Sequence, residues 1–278
     1  MSLPLMSIVT PSFNQLIFLK VCVAGIEMQA YPLVEQIVLD GGSTDGTKEY
    51  LAKKPGHVTC WRSHPDKGQT QALNEGFAKV SGDWIGWQNS DDFYYPGAFW
   101  RIADISRQAP EVQVVAGDTA IVDEHGVKKN LVGIAPVPAK TWLQGYWPYN
   151  QSLFIRRSLL EQVMPLDERF HLHMDIELFA KIAVLEPKVA YINSPLGAFR
   201  KYTGIKTDNP HYEEQRQWER AALRERFQEP MWPGTGWRYQ RFRAKFHVEA
   251  LRSWGWKALA KRAANVADRS GCDFLIRS

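Results

Sequence analysis

Several common signatures of a nucleotide or metal site are missing from this chain: it has no GxGxxG, no GxxxxGK[ST] and no CxxC pair. A dinucleotide loop of the Rossmann type and a phosphate-binding P-loop are thereby excluded, so any phosphate must be handled by a metal or by scattered basic residues. Cysteine is scarce. Cys22, Cys60 and Cys272 lie far apart, which rules out a disulfide framework and a cysteine zinc site and makes the cytosol the expected compartment. No apolar run approaches the roughly 18 to 20 residues that span a bilayer. The stretch from Met1 to Met6 also lacks the charged and long apolar regions of a signal peptide, so neither export nor membrane spanning is expected.

What is present is ordinary for a globular protein. The 278 residues are 45% hydrophobic, 12% aromatic and 23% charged, enough for a large α/β core and incompatible with a collagenous, low-complexity or wholly disordered chain. The formal net charge is +4, unevenly spread: residues 231–278 hold ten Lys/Arg against three acids, and the first 230 hold 24 against 27. The larger part of the chain is therefore no polyanion binder.

Short apolar runs alternate with helical periodicity. Leu5 to Thr10 predicts a buried strand stopped by Pro11. A helix then follows, capped by Asn14 and carrying Leu16, Leu19, Val23 and Ile26 until Tyr31-Pro32. Gln36 to Asp40 predicts a second strand and Thr47 to Lys54 a helix. A third strand (Val58 to Arg62) precedes a helix through Val80, and Trp84 to Gln88 predicts a fourth. Beyond Pro96 the pattern gives a helix to about Gln108 and strands at Val112 to Ala116, Thr119 to Val122, Val127 to Val132 and Asn150 to Ile155. Short helical patterns at Ser158 to Val163 and from Met174 follow, then strands at Lys188 to Ile192 and Leu196 to Tyr202 and a charged helix over Glu213 to Phe227. Such alternation predicts a mostly parallel sheet with helices on both faces, whose ligand crevice lies beyond the carboxyl ends of the strands. Four polar clusters should converge there: Pro11 to Asn14, Asp40 to Asp45, His64 to Gly68 and Ser90 to Asp92.

The strongest constellation is Asp40-Gly41-Gly42-Ser43-Thr44-Asp45-Gly46-Thr47, then Asp66-Lys67-Gly68-Gln69 and Leu73-Asn74-Glu75-Gly76, then Asn89-Ser90-Asp91-Asp92. Together with Ser7-Ile8-Val9-Thr10-Pro11-Ser12-Phe13-Asn14, these resemble the ordered motifs of glycosyltransferase family 2, over about residues 5 to 207. The resemblance implies a GT-A fold, a Rossmann-like sheet flanked by helices. It also implies inverting transfer of a hexosyl unit from a nucleotide-diphosphate sugar, UDP-sugar favoured, to a glycan or lipid-linked acceptor in cell-surface polysaccharide synthesis. By the same resemblance Pro11, Phe13, Asn14, Asp40, Asp66 and Asn89 serve the nucleotide sugar, Asp91 contacts the ribose or donor sugar, and Asp92 holds a divalent cation, Mn or Mg. Without the surrounding motifs, two adjacent acids after a strand would read as an exposed turn or a helix cap.

Asp175, in His173-Met174-Asp175-Ile176-Glu177, matches the family position of the base that deprotonates the acceptor hydroxyl; Glu177 is the neighbouring alternative, and either acid could simply favour the helix N-terminus. Arg200-Lys201-Tyr202-Thr203-Gly204-Ile205-Lys206-Thr207 aligns with the family's Arg-x-His-x-x-Ser-x-Thr stretch, with Tyr202 in place of histidine. Neutral tyrosine is a poor ligand for Mg or Mn, so either the metal lacks that ligand, another residue such as His211 substitutes, or Arg200 and Lys206 neutralise the leaving group directly. The implied organisation is a GT-A domain over 1–210, with a nucleotide-sugar half to about 95 and an acceptor half after it, and a helical basic extension over 211–278.

His171 and His173 make a weak metal case and are expected at the surface or the acceptor pocket. Gly133 to Tyr149, with Trp142, Tyr146 and Trp147, is either a lid for sugar rings or a core plug. Trp232, Trp237, Tyr239, Phe242, Phe246, Trp254 and Trp256 interleave with basic residues, which fits a helix on the inner face of an anionic membrane or a packing appendage. Two alternatives compete: a catalytically inactive nucleotide-sugar-binding protein, which Tyr202 would favour, and a nucleotidyltransferase, which Pro11 to Asn14 disfavours for want of glycine and lysine.

Overall fold

In the computed structural model, residues 2–206, 209–229, 231 and 274–277 are described, with a few positions between 241 and 255. The aromatic residues of the basic tail singled out above, Trp232 to Trp256, lie outside them. The first half is a regular βα alternation: β1 (Met6–Ser12), α1 (Leu16–Glu27), β2 (Val34–Asp40), α2 (Thr47–Leu51), β3 (Val58–Ser63), α3 (Gln69–Phe77) and β4 (Trp84–Trp87). Then come β5 (Phe93–Tyr94), α4 (Ala98–Gln108), β6 (Val114–Val122), β7 (Lys128–Val132), β8 (Leu153–Arg156), α5 (Arg157–Val163), α6 (Met174–Val184), β9 (Val189–Arg200), α7 (Glu213–Phe227) and β10 (Phe274–Arg277).

The main sheet runs β10-β9-β6-β8-β4-β1-β2-β3, with β5 on β9 and β7 on β6. Its β3-β2-β1-β4 side is parallel throughout, as is the β6·β9 pair. The pairs of β8 with β4 and β6, and of β5, β7 and β10 with their neighbours, are antiparallel, so the sheet as a whole is mixed. Strand alternation divides the core. Met6 and Ile8 of β1 face α1 and α4 with Ile26, Phe99 and Ile102, while Val9 faces α3 with Leu73 and Phe77.

Four local expectations are corrected. Pro11 does not stop β1: it sits in register with Leu39, and its carbonyl accepts the Ser90 amide, so its missing N–H costs the strand little. Asn14 does not cap α1. It adopts a left-handed conformation (φ 51°), its Oδ1 accepts the Thr44 amide at 3.0 Å, and the first helical amide, that of Leu16, is covered instead by Asp45 Oδ2 at 2.8 Å. The two strand pairs predicted at 112–122 and 188–202 are single long strands. Register shifts on both sides of Asp118, which pairs with Pro195, absorb Asn193, Ser194 and Leu196, the kind of irregularity at which a proline is tolerated. Asn150 to Ser152 is a 3₁₀ turn ahead of β8.

The segment 133–149 packs inward as a plug. Trp142 is 1% exposed, stacks edge-on to Phe179 and donates to the Tyr191 hydroxyl at 3.2 Å. The helix α7 joins the same core through Leu223, which is fully buried. No helix among the described residues is long and apolar enough to cross a membrane.

Candidate active site

Three loops at the carboxyl ends of β1, β2 and β3 form one wall. Asn14 bridges two of them: its amide donates to Ser43 Oγ at 2.7 Å while its side chain holds Thr44. Asp40 is completely buried. Its carboxylate accepts from the Ser43 amide (3.0 Å), the Ser63 hydroxyl (2.6 Å) and the Ser43 hydroxyl, so it shapes the loop. Phe13 and Asp66 meet across Gly41. Phe13 is 60% exposed, and a Cβ on Gly41 would fall 3.2 Å from its ring and 3.5 Å from Asp66 Oδ1, so bare backbone lets ring and carboxylate stand side by side. Arg62 holds Asp66 at 2.9 Å, and Asp66 Oδ1 accepts the Gly68 amide at 2.9 Å.

At the end of β4 the two adjacent acids have opposite surroundings. Asp92, expected to reach a cation, is 1% exposed, and both its oxygens are occupied: Oδ1 accepts the Arg200 amide (2.8 Å), and Oδ2 accepts Gln151 Nε2 (2.7 Å) and Asn89 Nδ2 (3.2 Å). Gln151 comes this close because Gly197 on β9 has no side chain; a Cβ there would lie 1.9 Å from the Gln151 carbonyl oxygen. Burial, reinforced by the neighbouring Asp91 charge, pushes the Asp92 carboxyl well up. Asp91 is only partly buried. Its Oδ2 accepts the Tyr202 hydroxyl at 2.9 Å and Gln15 Nε2 at 3.2 Å, and Oδ1 takes no bond from another described residue. Burial raises the Asp91 carboxyl, while Tyr202, Gln15 and the Arg200 charge work against that rise.

Arg200 braces this turn from beneath. It is 3% exposed, its Nε donates to the Asp91 carbonyl at 2.7 Å and its Nη1 to the Glu124 carbonyl at 2.7 Å, and its guanidinium lies 4.9 Å from the Phe18 ring. Tyr202 also receives Gln15 Nε2 at 2.9 Å and packs on Phe18; burial and the Asp91 charge push its phenol up, so it stays neutral and donates. Asn89 Oδ1 accepts from Trp87 (2.7 Å) and from Gln69 at the start of α3 (2.9 Å). A cleft of about 460 Å³ runs beside Tyr202, lined by Asp123, Glu124, Lys201, Thr203 and Gly204.

The N-terminus of α3 links this turn to the opposite wall. Gln69 touches Asn89, Thr70 Oγ1 donates to the Phe170 carbonyl, and the Cβ position of Gly68 lies 3.4 Å from His171 Nδ1. His171 and His173 are not on a strand; they precede α6, and His173 is its N-cap. Asp175 sits in the first turn of α6, partly exposed, with Oδ1 accepting the Ile176 amide at 2.8 Å. Burial pushes its carboxyl up, offset in part by His173. Glu177, the neighbouring alternative, is fully buried and ion-paired to Arg226 (2.6 Å) and Lys181 (3.1 Å), with Oε2 accepting the Asp167 amide.

Glu219 on α7 is the residue that sequence reasoning missed most completely. Although buried, it accepts the amides of His171 (2.6 Å), Leu172 (3.1 Å) and His173 (2.8 Å), the His173 ring (3.0 Å) and Gln215 (2.8 Å). Burial alone would raise its carboxyl, but the His173 ring and these amides hold it down at about 2. Gln15 and Gln151 were also missed, since no local pattern marks a glutamine whose partners come from other loops. Lys206, expected at the diphosphate, lines a separate cleft of about 640 Å³ with His171, His211, Tyr212, Gln215 and Trp218.

Comparisons with known proteins show the family and the fold. The model of the family described as Glycosyl transferase family 2 matches residues 7–161. An uncharacterized glycosyltransferase of Mycobacterium tuberculosis is 32% identical over 196 residues, 67% of this chain and 72% of that one. Among solved structures, S. aureus TarS 1–349 in complex with UDP-GlcNAc resembles the chain with a TM-score of 0.61 at 16% identity, covering 74% of this chain and 61% of that one. The mannosyltransferase PcManGT from Pyrobaculum calidifontis, in complex with GDP-Man and Mn²⁺, gives a TM-score of 0.57 at 18% identity and covers 97% and 77%. The last two are likenesses of fold, and the chain spans about three-fifths of the TarS structure.

Proposed function

Because this chain belongs to glycosyl transferase family 2, we propose that it moves a sugar from a nucleoside-diphosphate donor, UDP-sugar in the first instance, to a hydroxyl of a glycan or glycolipid acceptor, with inversion at the anomeric carbon. The observation that carries this reading is the exposed Phe13 ring beside Asp66 together with the partly exposed Asp91, which Gln15, two residues beyond Phe13, reaches at 3.2 Å. An aromatic face and a carboxylate suit a nucleobase and its donors, and an acid at a strand end suits the diphosphate and its counter-ion. Donors of this class are bound by the fold neighbours, UDP-GlcNAc in TarS and GDP-Man in PcManGT.

The residues present fit a divalent cation. Among the described residues no three acids, histidines or cysteines gather into a cage, yet hard cations at nucleotide sites are commonly held by one or two carboxylates plus substrate phosphates. Asp91, with Oδ1 open, would hold Mn or Mg in place of Asp92, and the ion when bound would offset the charge that develops on the leaving diphosphate. Asp92, Gln151, Asn89 and Arg200 keep that turn in shape from within. Tyr202 positions Asp91 by hydrogen bonding, which supports an active enzyme over an inactive nucleotide-sugar binder.

On the acceptor side, Asp175 takes the proton of the attacking hydroxyl. Its raised carboxyl brings it nearer to the working pH, which favours a general base. Glu219 fixes the loop that delivers it. Calorimetric titration of UDP, dTDP and GDP, with and without Mn²⁺, on wild type and Asp91→Asn tests the donor half. UDP binding that needs Mn²⁺ and weakens at least about tenfold in the variant is expected, given the magnitude of charge-assisted contacts. Failure of all three diphosphates to bind would overturn the reading.

A further inference from the structure

The cleft against α7 includes none of Phe13, Asp66 and Asp91, and its walls carry two aromatic rings, two imidazoles and an ammonium. Trp218 is 43% exposed while its ring packs on Phe170 at 5.8 Å and has the Arg169 guanidinium 5.8 Å from its centroid, so the indole is held in place with much of its surface open to the cleft. Tyr212 stands in the same cleft with the Lys206 ammonium 5.9 Å from its ring. His171 and His211 face the cleft as well, and a Cβ on Gly68 would fall 3.4 Å from His171 Nδ1. Through His171 the site adjoins the loop that follows Asp66 and lies at the head of the helix bearing Asp175.

Lys206 sets the chemistry. Among the described residues no carboxylate lies within ion-pair distance of its ammonium, although Glu219 and Glu214 are near. Glu219 is spent on the amides of 171–173 and on His173, and Glu214 is exposed on the rim. Half-covered, the ammonium has given up hydration with no ion-pair partner among the described residues, only the more distant Glu219 charge and the Tyr212 ring 5.9 Å away, an arrangement that an anion in the cleft would complete. Aromatic faces that stack on the C–H faces of a pyranose, beside a cation and two imidazoles, describe one ligand class.

We infer that this cleft is the acceptor subsite, and that it receives a pyranose stacked on Trp218 whose anionic substituent, a carboxylate or a phosphate, lies at Lys206. The inference rests on the proposed glycosyl transfer and narrows the acceptor to acidic saccharides. It also moves Lys206 from donor to acceptor binding.

The test uses two probes on the whole chain: UDP with Mn²⁺ in a calorimeter, and a printed array pairing neutral saccharides with their uronate-bearing and phosphate-bearing counterparts. Wild type is expected to retain acidic members over neutral ones. Trp218→Ala should lose array binding at least tenfold, and Lys206→Met should lose the preference for acidic members. Both variants should bind UDP within twofold of wild type. Uronates retained over phosphates, or the reverse, would identify which anion is read. Weakened UDP binding in Lys206→Met would return that residue to the donor site and overturn the inference. So would wild type that binds UDP but no glycan, or glycan binding indifferent to both substitutions. Loss of UDP binding by wild type itself would instead strike the glycosyl-transfer reading, leaving Trp218-dependent glycan retention to stand alone.

Discussion

The crevice has two ends built in different ways. At the Asp91 end, support is local to the fold: a buried acid, Asp92, adjoins the partly exposed one, and Gln15, Gln151 and Tyr202 reach them from loops that the sheet brings side by side. At the Asp175 end the supporting acid is Glu219, 46 residues beyond the His173 amide it holds, on a helix outside the 7–161 span that matches the family. In one end charge is balanced within the motif-bearing loops. In the other a single carboxylate, kept ionised in the interior by backbone amides, substitutes for a motif. Glu219 gathers three amides, an imidazole and Gln215 and is held down, whereas Asp92, with three donors but the Asp91 charge beside it, is pushed up.

The sharpest way to break this contrast is at the acid it serves. Asp175→Asn is expected to lower turnover by about 10²- to 10⁴-fold, the usual worth of a positioned general base, and to leave UDP affinity within twofold. The base works deprotonated and burial raises its carboxyl, so wild-type rate should climb with pH through a value above the ordinary carboxylate of about 4. Turnover unchanged in the variant would remove Asp175 from the reaction.

Next in size is the brace. Glu219→Ala leaves three amides and an imidazole without an acceptor and is expected to cost about 3 kcal/mol in chemical denaturation. Glu219 is held down at about 2, below its unfolded value of about 4.3, so its contribution is fully present above that value and is lost as pH falls from there towards 2. Acid unfolding should therefore be flatter across that window in Glu219→Ala than in wild type; coincident slopes would show that the carboxylate braces by shape alone.

The smallest effect is expected at the other end. Tyr202→Phe removes one hydrogen bond to Asp91 while Gln15 keeps its own at 3.2 Å, so thermal unfolding should report a loss of about 1 kcal/mol. A loss matching that of Glu219→Ala would mean that both ends depend equally on one side chain, and the contrast would fail.

Much of the first half of the chain was legible because parallel strands buried on both faces read as continuous apolar runs, and their polar loops stand at fixed places after them. Residues Ser7 to Asp92 show this. The long strands β6 and β9 were not legible as single elements, because Gly117-Asp118 and Ser194-Pro195 break the hydrophobic pattern at a bulge that the backbone carries through. The acid pair was visible, but which member faces outward was not, since residues of a turn have no periodicity to sort them. Glu219 sits in Gln-Trp-Glu-Arg on a highly charged helix, which reads as a solvated face; only the fold reveals that its partners are amides from another loop. Trp142, equally readable as lid or plug, was decided by the Tyr191 hydroxyl waiting for its N–H.

The grip of α7 on residues 171–173 also sets the unit of exchange for anyone redesigning this enzyme. Glu219, Arg226 and the loop from Asp167 to Asp175 interlock through Glu219 on the amides and Arg226 on Asp167 and Glu177. A chimaera joined between Val184 and Glu213 would import a foreign helix against a native loop and strand a carboxylate on each side of the seam. One joined ahead of Asp167 would carry lock and key together.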